Sequence, residues 1–154
     1  MSELFGTPAH PLLVHIPVVL LPLLAIAAIV LAARPAWRVR LSWALAGAAL
    51  ITAAVTVWAT QSGERLRDAL QPSLGSLAER HAELGDQTAL LATMFFVGAA
   101  ALAAIDRWYV PRSPAKKWPT VLASAVGLVG VATAVWAIRT GHEGARITWI
   151  GVEF

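Results

Sequence analysis

Four histidines, His10, His15, His81 and His142, are the side chains of this 154-residue sequence best suited to chemistry. Cysteine is absent, which excludes disulfides, thiolate metal sites, Cys-x-x-Cys redox motifs, covalent c-type haem attachment and cysteine nucleophiles. No His-Glu-x-x-His motif occurs. His10 and His15 stand five positions apart, roughly 140° around a helix, so they do not share a helix face. A zinc or copper site drawn from His10, His15, His81 and His142 therefore needs three or four ligands converging from separate helices. A b-type haem asks for less. Two neutral imidazoles and an apolar slot suffice, and a helix bundle offers both. Arg80 or Arg139 would be the bidentate partner of its propionates. His15 with His81 or His142 is one candidate ligand pair, and His10 with His81 is another. A third reading has no cofactor: His15 bonds a nearby backbone carbonyl and the other histidines sit at a membrane interface. No catalytic residue set emerges, which points away from a stand-alone enzyme.

The elements that must position these side chains follow from composition. Hydrophobic residues make up 58% and charged residues 14%, against about 45–50% and 25% in soluble domains. Mean hydropathy is +0.67. A soluble domain of this size could not bury so much apolar surface. The expectation is an all-α integral membrane four-helix bundle, a single transmembrane domain over 1–154, with spans at 12–33, 41–60, 87–105 and 119–138. These reach about 28–33 Å as helix, against a hydrocarbon core of about 30 Å, and helix is required because an open strand leaves its backbone unpaired in lipid. No Asp, Glu, Lys or Arg lies within those spans, which argues against a proton pump, a voltage sensor or an ion-coupled carrier.

Charge sets the direction. The two short connections, 34–40 and 106–118, hold seven basic residues against one acid, Asp106, while the other side holds five basic residues against eight acids. The positive-inside rule places the short connections in the cytoplasm and both termini outside. The first span has no preceding Lys or Arg, unlike a cleaved signal peptide. The pI of about 10.2 is thus an orientation signal and needs no nucleic-acid partner. Trp37, Trp43, Trp108 and Trp118 fall at the cytoplasmic ends, and Trp58, Trp136 and Trp149 at the outer ends, forming two aromatic belts. All four histidines then lie toward the outer face, so any redox centre is single and near that surface. His15 lies about one turn inside its span and is expected to face the bundle, bonded to the Leu13 carbonyl that Pro17 frees. Gly141 is expected to stop the last helix and turn His142 back over the bundle.

The second and fourth spans end alike, Val57-Trp58-Ala59 before Ser62-Gly63 and Val135-Trp136-Ala137 before Thr140-Gly141. This suggests two tandem helical hairpins related by an approximate two-fold along the membrane normal. The long segment between Gln61 and Gln87 is expected to break at Pro72, Ser73 and Gly75, with helix extending over Leu66–Leu70 and Leu77–Leu84 and Gly85 as a kink. Gly47, Gly98, Gly127 and Gly130 are assigned to close helix contacts. Thr52, Thr56, Thr93, Ser124 and Thr133 are assigned to bonds with preceding carbonyls or across helices.

The opening His10-Pro11-Leu12-Leu13-Val14-His15-Ile16-Pro17 resembles a bacterial family of predicted four-helix membrane proteins, domain of unknown function 2231. The closing Gly141-His142-Glu143-Gly144-Ala145-Arg146-Ile147-Thr148 is similar to that family's second motif, with Ala145 where the family often has glycine. The resemblance implies no established reaction. Some members are joined to c-type cytochrome domains, which tilts the expectation toward haem and electron transfer. The leading expectation is a small subunit of the bacterial inner membrane holding haem b near its outer face. The alternatives are a cofactor-free accessory subunit of a larger membrane complex and an outer-face copper or zinc binder. Expected partners are lipid and other membrane subunits or further copies of the chain.

Overall fold

A computed structural model describes residues 3–4, 7–70, 75–110 and 117–148. Glu3–Leu4 (β1) and Thr7–Pro8 (β2) pair antiparallel. Five helices follow: α1 (Ala9–Leu13), α2 (His15–Ala33), α3 (Pro35–Leu70), α4 (Gly75–Trp108) and α5 (Trp118–Thr148). Val14 keeps helical dihedrals between α1 and α2 (φ −65°, ψ −23°), and its N–H donates to the His10 carbonyl at 3.1 Å. The two pieces therefore run on as one apolar span. Four stretches are long and apolar enough to cross a membrane: Ala9–Ala33, Pro35–Asp68, Ala78–Trp108 and Trp118–Ile147. The expected all-α membrane bundle of four spans is the observed architecture.

The helices outrun the apolar segments. The first connection is shorter than the expected 34–40, because α3 begins at Pro35 and only Arg34 lies outside helix. Proline suits the first helical position, where its missing N–H costs nothing and its φ is already helical. At the other end α3 continues to Leu70 and α4 starts at Gly75, so both expected extensions are present. Good helix formers fill these stretches. Gly85 lies within an unbroken α4. Pro72, Ser73 and Trp149 lie outside the described residues.

Each long helix packs on two neighbours, α2 and α4 both lying between α3 and α5 in a closed four-sided ring. Ala28, Leu31, Leu45, Ala49, Phe95, Ala99, Leu102, Ala123 and Val126 are the main buried cluster. A Cβ on Gly130 would lie 2.9 Å from Phe95 Cε2 and 3.2 Å from the Ala25 backbone, so only glycine admits that approach of α5 to α2 and α4. Gly98 and Gly127 are likewise in contact, with Val126 and Ile29. Gly47 is not: nothing lies within 4 Å of its Cβ position, because that face of α3 points outward. The hydroxyls behave as expected. Thr52, Thr56, Thr93 and Ser124 each donate to the carbonyl four residues back, and Thr133 reaches Val129 and, across helices, Leu91. Trp43, Ile51, Leu90, Val121 and Leu128 are exposed, as lipid-facing side chains of a membrane bundle are.

The end bearing the short connections is closed by charge. Asp106 is fully buried and Arg38 is 3% exposed. Arg38 Nε donates to both Asp106 oxygens, at 3.0 and 3.2 Å, and Nη1 to Thr120 Oγ1 at 3.2 Å. Three helices, α3, α4 and α5, are tied there by one guanidinium. The sequence counts these residues only as flanking charges. Their burial arises because α3 starts early enough to bring Arg38 inside the ring.

Candidate functional site

The opposite end is built from the histidines. His10 Nδ1, on α1, lies 2.8 Å from the Ala59 carbonyl oxygen of α3. His81 Nδ1, on α4, lies 3.0 Å from the Thr140 carbonyl oxygen of α5. A carbonyl only accepts, so Nδ1–H is the donor in both rings. In the neutral imidazole, Nε2 then carries the lone pair. Each accepting carbonyl also takes the N–H four residues on within its helix, and the Ala59 oxygen accepts from Ser62 Oγ as well, at 2.8 Å. In both cases the residue four positions on is glycine. A Cβ on Gly63 would sit 2.7 Å from His10 Cε1, and a Cβ on Gly144 would sit 2.9 Å from His81 Cε1. Histidine, carbonyl and glycine thus recur as one device in each half of the chain.

The repeat seen in the sequence is therefore present in the site, with a shifted register. The sequence match pairs Gly63 with Gly141, whereas the imidazoles pair Gly63 with Gly144. A glycine placed four residues after a carbonyl at the histidine end of a helix was the available signal. It was masked because Gly141 and Gly144 stand one turn apart on α5.

The two rings meet edge to face, with centroids 5.8 Å apart and planes at 84°. They line a cavity of about 760 Å³ with walls from every helix, among them Val14, Val18, Ala78 and Ile138. All four histidines border it, but only His10 and His81 come together. His15 is exposed, and its Nδ1–H donates to the Pro11 carbonyl at 2.6 Å. The Pro11 carbonyl replaces the expected Leu13 carbonyl, because a helical side chain leans toward its own N-terminus and reaches the carbonyl one turn back. His142 is also exposed. The expected helix stop at Gly141 does not occur, since α5 runs on to Thr148. An interior glycine costs only about 1 kcal/mol of helix propensity, and here it admits Val18, whose Cγ2 would lie 3.3 Å from a Cβ.

A family model described as a predicted membrane protein, DUF2231, matches residues 6–152. The chain belongs to the DUF2231 family. Both histidine motifs that suggested the resemblance fall within that match. No curated protein and no solved structure matches the chain.

In this DUF2231 protein the expected anion partners have other company. Arg80 pairs with Glu143 at 3.6 Å, and Arg146 pairs with the same carboxylate at 3.1 Å. Glu143 is buried, a residue the sequence did not single out. Arg139 lies over the Trp136 ring, 5.1 Å from its centroid. Arg80 and Arg139 border a separate shallow hollow between α4 and α5, with Glu79, Glu83 and Gln87. Among the described residues, no three His, Cys, Asp or Glu side chains form a group that could hold a metal ion. What the site offers chemically is two tautomer-fixed imidazoles at the wall of an apolar chamber. They can serve as ligands to an iron or as hydrogen-bond acceptors.

Proposed function

We propose that this DUF2231 protein is a small membrane subunit that holds one b-type haem on His10 and His81, near the outer face, for electron transfer. The supporting observation is the doubled anchoring of the imidazoles. A ligating histidine characteristically donates its other ring N–H to a carbonyl or carboxylate, which fixes the tautomer and aims the free nitrogen. Here Ala59 and Thr140 supply those carbonyls, and Gly63 and Gly144 supply the room. The cavity volume falls within the roughly 300–1,000 Å³ usual for cofactor pockets. Bound there, the group would supply one-electron chemistry. The chain's own residues would fix its axial ligands and keep its surroundings apolar.

The test is an absorption spectrum of the detergent-purified protein after haem-supplemented expression, with metal analysis of the same sample. A Soret band is expected. His10→Ala and His81→Ala should each abolish it while cooperative thermal unfolding persists, and His15→Gln should retain it. Colourless, iron-free wild-type protein overturns the proposal. We further propose that the histidine end faces outward from a bacterial inner membrane, on the strength of the basic short connections. Cysteines introduced at Ser2 and Ser73 should react with an impermeant thiol reagent on intact cells, and one at Ser113 should not. The reverse pattern inverts the orientation.

A second reading is a cofactor-free accessory subunit that docks on other membrane chains. It is favoured by Gly47, whose open face on α3 would admit a neighbouring helix closely. Under that reading the purified wild type is colourless and Gly47→Leu disrupts co-purification with partner subunits.

A further inference from the structure

Arg67 stands one turn beyond Gly63 on α3, on the same helix face, and borders the same cavity as His10 and His81. The side chain is 33% exposed, but its Nε is buried and has no hydrogen-bond partner among the described residues. The carboxylate paired with it, Asp68, is largely exposed and stands 3.8 Å away, beyond hydrogen-bond range. Glu64 also borders the cavity but is exposed. Buried donors are nearly always satisfied, and the partner of an orphaned one can come from outside the chain, as a ligand group, an ion or water. The neighbouring cations have theirs: Arg80 and Arg146 share Glu143, and Arg139 stacks on Trp136.

We infer that Arg67 is an anion anchor of the histidine chamber, and that the ligand bound there carries a carboxylate that accepts from its guanidinium. The inference rests on the haem reading for the ligand's other end, where the His10 and His81 lone pairs lie. It replaces Arg80 and Arg139 as the residues that would meet a propionate. A guanidinium is suited to the role because it is always charged and presents its donors in a fixed fork that matches a carboxylate. Its place on α3, above the His10 contact, sets which side of the chamber the acidic edge occupies.

The experiment uses iron-free protoporphyrin, so that carboxylate recognition is read apart from iron ligation. The full chain in detergent is titrated, by fluorescence, with protoporphyrin diacid and with its dimethyl ester. Wild type is expected to prefer the diacid by at least about 10-fold, the scale of one charged hydrogen bond. Arg67→Gln should erase that preference, and Arg80→Gln should leave it intact. Equal binding of diacid and diester, binding of neither, or a preference that survives Arg67→Gln overturns the inference. Should Arg67→Gln fail to fold, the wild-type comparison of diacid with diester decides. Failure of the haem reading has its own signature: the diacid binds in an Arg67-dependent way, yet haem itself gives no spectrum of a two-imidazole iron.

Discussion

The two ends of the bundle are made by the same four spans and are packed by opposite means. At the end of the short connections, large side chains such as Leu31 and Leu102 are buried, and the remaining space is filled by the Arg38–Asp106 pair with Thr120. At the histidine end the buried apolar cluster shrinks to Ala9, Leu13 and Ala59, and the helices enclose a chamber of about 760 Å³. One end spends its polar groups on each other. The other fixes two imidazoles to helix carbonyls and leaves their second nitrogens unbonded among the described residues. The difference teaches that helix direction and hydrophobicity do not distinguish a sealed end from a receptive one. Side-chain volume and the pairing of a few polar groups do.

The largest expected effect falls at the sealed end. Asp106→Ala leaves the Arg38 charge buried without its partner, which should cost about 3–5 kcal/mol. Thermal denaturation in detergent checks this, and the double variant Arg38→Met with Asp106→Leu should recover most of the loss. An unchanged melting temperature for Asp106→Ala would erase the contrast between the ends. Next is the middle of the ring. Gly130→Leu drives a side chain into Phe95 and the Ala25 backbone, and overpacking of this kind costs about 1–3 kcal/mol. Gly47→Ala, on an open face, should be neutral or gain up to about 1 kcal/mol in helix propensity. Similar shifts for both variants would mean that Gly130 is not at a contact.

The smallest stability effect, and the sharpest test of the receptive end, concerns Gly63→Ala and Gly144→Ala. The atoms in the way are imidazole ring atoms, 2.7 and 2.9 Å from the added Cβ. A ring can swing aside, so each substitution should change stability by less than about 1 kcal/mol, the scale of a surface change. Swinging aside breaks the carbonyl bond and misaims Nε2. On the proposed haem reading, Soret absorbance per protein should therefore fall sharply in both variants. Full haem occupancy with the melting temperature intact would show that the imidazole–carbonyl anchors do not build the site.

The site was legible in part. The rings that meet, His10 and His81, are the competing pair that the tandem hairpins set at equivalent sites about a two-fold, whereas the pairing with His15 is the one the sequence favours. His15 drew attention for lying in an apolar run, but its position there follows from local helix geometry and a carbonyl one turn back. The expected turn at Gly141 does not form, because α5 uses Gly141 and Gly144 to admit Val18 and His81, yet His142 borders the chamber. Arg67 and Glu143 were invisible, because an arginine or glutamate near a helix end looks like any other flanking charge until its neighbours are known.

The sequence by itself determined that this is a membrane protein of four helical spans, and it located the histidines at one end of them. Those conclusions depend on hydropathy summed over about 20 residues and on where charges fall along the chain, both of which are one-dimensional quantities. Only the tertiary structure decided which charges are buried, which glycines touch a neighbour and which histidines meet. Each of these depends on the rotation and register of one helix against another. A shift of one residue turns a helix face by about 100°, so contacts between residues as far apart as Arg38 and Asp106, or His81 and Thr140, exist only once all four spans have packed.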